Sequence, residues 1–303
     1  MERVAYDEFG LFADNAAEFG LPYDGPPTVR RESVAVDDDR RLSALVWGTA
    51  PPELVFLHGG AQNAHTWDTV ALALDRPMVC IDLPGHGHSD GGRNGQLDLD
   101  DNAADVAVVI RELAPDAQAV VGMSLGGMTT IALARHAPDL VRRMVLIDIT
   151  PGVTAEKAKA ITDFVNGPAS FPSFEDLLRR TMEHYPTRSE ASLRRGILHN
   201  ADQLEDGSWV WRYARHRQLG ADAEQAERPV TDRGELWDVI SGLSVPLLLV
   251  RGMRPQSVVD DSDEAELLRR LPAAQVVHVA DAGHSVQGDT PVELARIIAG
   301  FVP

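Results

Sequence analysis

Short apolar runs of strand length alternate with segments of helical periodicity along most of the chain. Two early runs, 33–36 and 42–47, flank a polar turn and predict a β-hairpin. The later runs lie at 54–57, 78–82, 117–121, 143–149, 245–252 and 275–279. These runs are almost entirely apolar, which is typical of strands buried on both faces. The pattern therefore predicts an α/β fold with a mostly parallel central sheet flanked by helices.

The alternation is interrupted once, from residue 152 to residue 240. This stretch contains helical pieces rich in Arg, Glu and aromatic residues, but no convincing buried strand. We therefore predict a core formed by 31–151 and 241–303, with a helical cap at 152–240 inserted after the strand that ends near Asp148. Residues 1–30 form a short amphipathic leader, either a helix packed on the core or a partly ordered arm. A long insertion in such a fold usually has a function.

The segment Gly122-Met123-Ser124-Leu125-Gly126 lies where an apolar run gives way to a helical stretch. A serine between glycines at a strand-to-helix turn is the nucleophile-elbow pattern G-x-S-x-G. The glycines are needed because side chains at those positions would collide with the neighbouring strand and helix. The turn raises the serine oxygen above the sheet edge, and the following helix points its partially positive N-terminus at the site. Ser124 is therefore the predicted nucleophile.

A serine nucleophile needs a base, and the chain has ten histidines. His284 is the best candidate, because it follows the last predicted strand in a polar loop directly after a glycine. His58, His86 and His88 also follow strands, but their Gly-rich settings indicate loop-shaping positions at the pocket floor. The other six are interpreted as surface or packing residues: His65, His136, His184, His199, His216 and His278.

The base in turn needs a carboxylate that orients it, and the sequence offers two answers. Asp148 ends the strand after the elbow helix, in an otherwise apolar setting where a charge is costly without a partner. Asp260 and Asp261 follow the strand at 245–252, but they also suit the start of the next helix. We predict Asp148, with Asp260 or Asp261 as the alternative acid.

Acyl transfer also needs backbone donors for the oxyanion. The Leu125 amide is one, and Gly60, in the loop after the strand at 54–57, is the expected second, with Ala61 as the alternative. The remaining pocket candidates lie beside the nucleophile, in the two loops or in the insertion, where aromatic side chains could instead pin the cap to the core. They are His58, Ala61, Met123, Trp67, Trp209, Trp211 and Arg212.

Composition narrows the classes of partner. The formal charge of −18 disfavours nucleic acid and anionic membranes, which need a basic face. Cys80 is the single cysteine, so no intrachain disulfide or cysteine metal cluster is expected. The N-terminus lacks a signal-peptide pattern and no apolar run reaches transmembrane length, which predicts a cytoplasmic protein. The bias towards Arg, Ala, Asp and Gly over Lys is typical of a GC-rich bacterial genome.

In combination, these motifs resemble the α/β-hydrolase fold family. The residues that carry the resemblance are Leu57-His58-Gly59-Gly60, Asp82-Leu83-Pro84-Gly85-His86-Gly87-His88-Ser89, the elbow and Gly283-His284. The order Ser, acid, His is the one that this family uses. Most members carry the acid after the strand that follows the cap, in a Gly-x-x-Asp pattern, whereas this chain has Gly252-Met253-Arg254-Pro255. A subset carries it at the preceding strand end, as Asp148 would.

The resemblance implies a serine hydrolase that cleaves a carboxylic ester or related acyl bond through an acyl-enzyme, without a cofactor or metal. Its partner would be a small-molecule ester or acyl substrate. Related dehalogenases and epoxide hydrolases use an aspartate nucleophile, so Ser124 disfavours both. A carbon–carbon bond hydrolase of ring-cleavage products is an alternative, and would need cap arginines facing the pocket. A non-catalytic or slow ligand receptor on the same scaffold is another.

Overall fold

An eight-stranded sheet lies at the centre of the fold. The computed structural model describes residues 4–93, 98–213 and 233–303. The strands in chain order are β1 Val29–Ala35, β2 Arg41–Trp47, β3 Leu54–Leu57, β4 Met78–Ile81, β5 Ala119–Met123, β6 Met144–Ile147, β7 Ser170–Phe171, β8 Ala201–Gln203, β9 Trp209–Trp211, β10 Leu247–Gly252 and β11 Gln275–Val279. The sheet order is β1-β2-β4-β3-β5-β6-β10-β11. Strand β2 pairs antiparallel with β1 and β4, and the other neighbours are parallel, which confirms the predicted architecture.

Helices cover both faces of this sheet. They are α1 Phe12–Glu18, α2 Asp68–Leu74, α3 Leu99–Leu113, α4 Leu125–His136, α5 Lys159–Val165, α6 Phe174–His184, α7 Glu190–Asn200, α8 Arg233–Ser241, α9 Asp261–Arg270, α10 Val286–Asp289 and α11 Pro291–Phe301. None of the helices in the described residues is long and apolar enough to cross a membrane.

Strand β3 shows why the central runs are apolar throughout. Its side chains alternate between the two faces, so Val55 and Leu57 pack in one core cluster while Leu54 and Phe56 pack in the other. The first cluster includes residues of α3, α4, α8 and α9, and the second includes residues of α1, α2 and α11. All four β3 residues are fully buried, as expected for a strand between two helical layers.

The leader contains a helix that packs on the core. Phe12 of α1 is buried in the second core cluster, with its ring centroid 4.9 Å from that of Trp47 on β2. Of the two alternatives left open by the sequence, the structure has the packed helix. Residues of this segment also reach the cap, because Asn15 accepts a hydrogen bond from Arg195 of α7 at 2.7 Å.

The described part of the insertion, 152–213, is not purely helical. Strands β7, β9 and β8 form a small antiparallel sheet in that order, and β9 is buried. The sequence predicted no buried strand here, because strands of two or three residues are too short to produce a periodic pattern. A third apolar cluster, which includes Trp209 and Trp211, holds the cap elements together.

The core resumes earlier than the predicted residue 241. Leu236, Trp237 and Ile240 of α8 pack in the first core cluster, together with residues of α4. These contacts assign α8 to the core rather than to the cap.

Candidate active site

Ser124 occupies a strained turn between β5 and α4. Its backbone has φ 50° and ψ −115°, in the positive-φ region that residues with a side chain rarely adopt. Ser124 is partly exposed. Its backbone carbonyl accepts a hydrogen bond from the Met128 amide at 3.0 Å, which is the first hydrogen bond of α4. Such strain persists where the surrounding structure holds it, and it is concentrated at functional sites.

The motif glycines permit close backbone contacts. A Cβ atom on Gly122 would lie 2.4 Å from the Gly126 carbonyl oxygen, and one on Gly126 would lie 2.2 Å from the Leu57 oxygen. Both contacts are with backbone, which cannot give way as a flexible side chain can. The G-x-S-x-G spacing is therefore explained by the packing of α4 against β5 and the β3 loop.

His284 and Asp148 are hydrogen-bonded. His284 lies in the loop after β11, and its Nδ1 is 2.9 Å from Oδ2 of Asp148. The His284 side chain is 9% exposed, and its Nε2 is buried without a hydrogen-bond partner among the described residues. The bond to Asp148 thus leaves Nε2 as the ring nitrogen available to a second group.

Asp148 is completely buried and accepts four hydrogen bonds. Besides His284, the donors are the Gly252 amide at 3.0 Å, the Ser257 hydroxyl at 2.6 Å and the Val258 amide at 3.0 Å. Asp148 directly follows β6, and its backbone has a positive φ of 45°. Because β5 and β6 are neighbours in the sheet, with Met123 opposite Ile147, Ser124 and Asp148 emerge side by side at one edge.

The alternative acids are occupied elsewhere. Asp260 caps α9 by accepting from the amides of Ser262 and Asp263, and it forms an ion pair with Lys157 at 2.7 Å. The Asp261 side chain is 95% exposed and pairs with Arg251. Neither hydrogen-bonds His284, so the structure contradicts both as partners of that histidine. The loop after β10 contributes donors to Asp148 in place of an acid of its own.

The two candidate oxyanion donors in the loop after β3 differ in their hydrogen bonding. The Ala61 amide donates to Nε2 of His86 at 3.0 Å, so the alternative donor is already engaged. The amides of Gly60 and Leu125 have no acceptor within the described part of the chain. His58 is fully buried and bonds backbone on both sides, with Nδ1 2.7 Å from the Gly59 oxygen and Nε2 accepting from the Leu83 amide at 3.0 Å.

A cavity of about 130 Å³ lies between the cap, α1 and the loop after β3. Ala61 and Gln62, next to Gly60, line one side, and Gln287 and Gly288, shortly after His284, line another. The cap contributes side chains of α5, α6, α7 and β9 to the lining. The cavity therefore adjoins the loop after β3 and the segment after His284, although Ser124 and His284 themselves are not among its lining residues.

A sequence profile for the α/β-hydrolase fold matches residues 52–291. The chain belongs to the α/β-hydrolase fold family. The esterase Rv0045c of Mycobacterium tuberculosis is 44% identical over 310 aligned residues, which cover 99% of this chain and 97% of that protein. A solved structure of that esterase, from work on its inhibition by transition metals, matches with a TM-score of 0.83 over 98% of this chain and 99% of its own, at 44% identity.

A more distant relative is the 2-(acetamidomethylene)succinate hydrolase of Mesorhizobium japonicum. It is 29% identical to this α/β hydrolase over 83% of this chain and 88% of its own length. A crystal structure of E-2-(acetamidomethylene)succinate hydrolase covers 91% of this chain and 99% of its own, with a TM-score of 0.75 at 25% identity.

Most of the predicted pocket residues of this hydrolase do not line the cavity. Ala61 and Trp211 do. His58, Met123 and Trp67 are buried: Met123 and Trp67 pack in the second core cluster, and His58 bonds to backbone. Trp209 packs against Phe174 within the cap, and Arg212 forms an ion pair with Asp202 at 3.1 Å. These five predictions are corrected because packing and ion pairing, which the sequence did not reveal, turn the side chains away.

The cavity instead contains polar residues that the sequence analysis missed or treated as packing. Arg188 and Arg195 line it from the cap, and His65, Asp68 and His199 line it at the boundary with the core. The sequence contained a weak indication of the two arginines, since both lie in the Arg-rich part of the insertion. It contained no indication of the histidines, because their contacts join distant parts of the chain.

One donor atom each of His65, Asp68 and His199 lies within 4.8 Å of the others, which is the spacing of a candidate metal-ligand group. The two rings are stacked, with centroids 3.8 Å apart and planes 10° apart. Ring nitrogens of parallel stacked rings do not converge on one ion. We therefore interpret this cluster as a structural contact between cap and core.

Proposed function

We propose that this protein is a serine hydrolase that cleaves carboxylic esters through Ser124, His284 and Asp148. The observation that carries the proposal is the His284–Asp148 hydrogen bond, which leaves Nε2 unbonded at the edge where the strained elbow presents Ser124. Asp148 would hold the imidazole in the tautomer with the proton on Nδ1, so that Nε2 can act as the base.

In the proposed reaction, the Ser124 hydroxyl attacks the acyl carbon while His284 Nε2 takes its proton. The amides of Leu125 and Gly60, both without an internal acceptor in the described structure, would stabilise the oxyanion. His284 then returns the proton to the leaving alcohol, and an acyl-enzyme remains on Ser124. Water, deprotonated by the same nitrogen, hydrolyses the acyl-enzyme and regenerates the serine, so no cofactor or metal is required.

The comparison with the M. tuberculosis esterase supports the choice of ester hydrolysis, because that protein matches this chain over almost its whole length. The substrate would be a small-molecule ester, as expected for a cavity of about 130 Å³. The cap formed by 152–213 and the leader would select among acyl groups, since both line that cavity. The cytoplasmic location stays a prediction from the sequence.

Carbon–carbon bond hydrolysis of an acidic substrate is the second candidate function. The sequence analysis made it conditional on cap arginines that face the pocket, and Arg188 and Arg195 satisfy that condition. Both reactions would use the same triad, so serine labelling does not distinguish them. They are distinguished by comparing the release of alcohol from simple esters with the cleavage of a vinylogous dienone acid.

A fluorophosphonate probe tests the serine mechanism directly. We expect rapid labelling of the wild-type protein and turnover of short p-nitrophenyl esters, with both lost in Ser124→Ala. Ser33→Ala, on the exposed surface of β1, is the control and should behave like wild type. Unreactive wild-type protein, or labelling that persists in Ser124→Ala, would falsify the proposal.

A further inference from the structure

Arg188 lies in the connection between α6 and α7 and lines the cavity. Its amide donates to the Tyr185 oxygen at 3.2 Å, which fixes the backbone there. The guanidinium donates to the Ser192 hydroxyl through Nη2 at 2.6 Å, and Ser192 is a neutral acceptor. The side chain is thus held at the cavity wall without being neutralised by that contact.

No described carboxylate forms an ion pair with Arg188, and its Nε is buried without an acceptor in the described structure. The other arginine of the cavity differs, because Arg195 pairs with Glu18 and also donates to Asn15. Asp289 and Glu18 both act on Arg188 through their charges, but neither forms an ion pair with it. Oδ2 of Asp289 accepts from the Gly283 amide at 2.9 Å, and Glu18 is paired with Arg195. Arg188 is therefore the cavity arginine that lacks a counter-ion.

A desolvated charge without a counter-ion is costly. Burial lowers the pKa of Arg188 below its ordinary value, because removing the charged guanidinium from water is unfavourable. The guanidinium nevertheless stays protonated under ordinary conditions. Its Nε and one Nη hydrogen point in one direction and match the two oxygens of a carboxylate. Nε is itself buried, so the donor that remains for a carboxylate in the cavity is Nη1, which has no acceptor among the described residues.

The guanidinium also lies beside the segment that follows His284. It packs over Gly288 of α10, four residues after His284, where a Cβ atom would lie 3.0 Å from Nη1 and 3.1 Å from Cζ. Any side chain at position 288 would therefore push against the guanidinium. The glycine at 288 therefore leaves room for the guanidinium next to the helix that follows the proposed base.

We propose that Arg188 binds a carboxylate of the substrate, and that the protein prefers half-esters of short dicarboxylic acids, with the free carboxylate on the acyl side. This inference rests on the proposed ester hydrolysis for its catalytic part. A cavity of about 130 Å³ suits a short acyl chain, and Arg188 of the cap contributes the recognising charge. A fixed guanidinium in a water-poor site rejects neutral analogues by leaving its own donors unpaired.

The kinetic test compares p-nitrophenyl hydrogen glutarate with p-nitrophenyl butyrate. Wild type should have the higher kcat/KM for the half-ester, and Arg188→Met should lower the half-ester to butyrate ratio of kcat/KM by about tenfold to a hundredfold. Arg194→Met, which removes an exposed arginine paired with Glu175 and Glu190, is the matched control and should keep the wild-type ratio. A ratio unchanged by Arg188→Met overturns the proposal.

Binding provides a test that does not depend on turnover. Glutarate should bind Ser124→Ala protein in a calorimetric titration, and Ser124→Ala/Arg188→Met should bind it more weakly by about tenfold or more, because a charge-assisted hydrogen bond is lost. Inorganic phosphate should compete poorly, and tighter binding of phosphate than of glutarate would overturn the carboxylate assignment. Because this arm needs no active serine, failure of ester hydrolysis and failure of carboxylate binding give different results.

Discussion

Two histidine–aspartate pairs in this molecule share the same short contact and differ in everything around it. In His284–Asp148 and in His65–Asp68, Nδ1 lies 2.9 Å from Oδ2, and all four residues are buried. The first pair lies at the sheet edge beside Ser124, and the second lies between the core and α7 of the cap. A search for such pairs by contact distance alone would not distinguish them.

The partners of the remaining atoms separate the two pairs. Asp148 accepts three further hydrogen bonds, whereas Oδ1 of Asp68 is buried without a partner in the described structure. For the histidines the opposite holds: the ring of His65 has the additional partner and the ring of His284 does not. Nε2 of His284 is unbonded among the described residues, whereas Nε2 of His65 is 3.1 Å from the Glu8 carboxylate.

This difference decides what each histidine can do. Burial alone would lower the pKa of His65, but the charge of Asp68 and hydrogen bonds to Asp68 and Glu8 raise it to about 9. His65 is therefore an imidazolium near neutral pH and cannot accept a proton, and His199 stacks on its ring. A base is recognised by the free nitrogen on the far side of the ring from the carboxylate.

The largest expected effect comes from removing each histidine. His284→Ala should lower kcat for p-nitrophenyl butyrate by about 10⁴-fold or more, because it removes the proposed base. His65→Gln should lower kcat by less than about tenfold and act mainly on stability, since it breaks buried hydrogen bonds worth about 1.5–3 kcal/mol each. Circular dichroism establishes that both variants are folded. A comparable loss of kcat in the two variants would break the distinction.

The aspartates give the next largest contrast. Asp148→Asn should lower kcat by about 10³- to 10⁴-fold, because an amide that donates to the ring favours the wrong tautomer. Asp260→Asn should keep most of the activity and lose the α9 cap and the Lys157 ion pair. The same p-nitrophenyl assay measures both. Full activity in folded Asp148→Asn together with an inactive Asp260→Asn would refute the assignment.

The sequence predicted the parts of this site that depend on local pattern. The elbow around Ser124 is a contiguous motif, and the positions of Asp148 and His284 follow from the order of strands that end at one edge. The choice of Asp148 over Asp260 also followed from the sequence, because one was an isolated acid at an apolar strand end and the other a helix start. The central sheet was predictable for the same reason, since each buried strand is a separate apolar run.

The parts that could not be predicted depend on contacts between distant segments. Glu8 and His65 are separated by 57 positions and His65 and His199 by 134, so no local pattern joins them. The direction of Arg212, which pairs with Asp202, and the unpaired state of Arg188 depend on how the cap folds on the core. The cap sheet was missed because its strands are only two or three residues long.

A substitution at Gly252 tests the role of the hydrogen bonds that Asp148 accepts from backbone and that Asp68 lacks in the described part of the chain. The Gly252 amide donates to Asp148, and a Cβ atom there would lie 2.2 Å from the Gly283 oxygen, next to His284. Gly252→Ala must therefore move the histidine loop, and we expect a loss of about 1–3 kcal/mol of stability and at least tenfold in kcat. Gly300→Ala, where a Cβ meets nothing within 4 Å, should gain about 0.5–1 kcal/mol. Urea unfolding and kcat are the measurements, and equal behaviour of the two variants would contradict the argument.

The smallest effect concerns Glu8, the residue that makes the second pair unlike the first. Burial alone would raise its pKa, but hydrogen bonds from His65 and Arg31 lower it from 4.5 to about 2. A lowered pKa means that the stabilisation is complete above the unfolded value of about 4.5 and is lost as the pH falls through 2. Because Glu8 is partly exposed, solvent screening reduces its contribution to about 1 kcal/mol.

Glu8→Gln should therefore be less stable than wild type by about 1 kcal/mol at pH 6, with the difference shrinking between pH 4.5 and pH 2. Glu266 is the matched control, because hydrogen bonds from Arg269 and Arg270 also lower its pKa to about 2, yet its partner Arg269 is exposed on α9 whereas His65 is buried. Glu266→Gln should change urea midpoints little at any pH, since exposed ion pairs contribute little. If the two variants show the same pH dependence, burial does not explain the contribution of the Glu8–His65 contact to stability. The contrast between the two histidine–aspartate pairs would then reduce to the free nitrogen of His284.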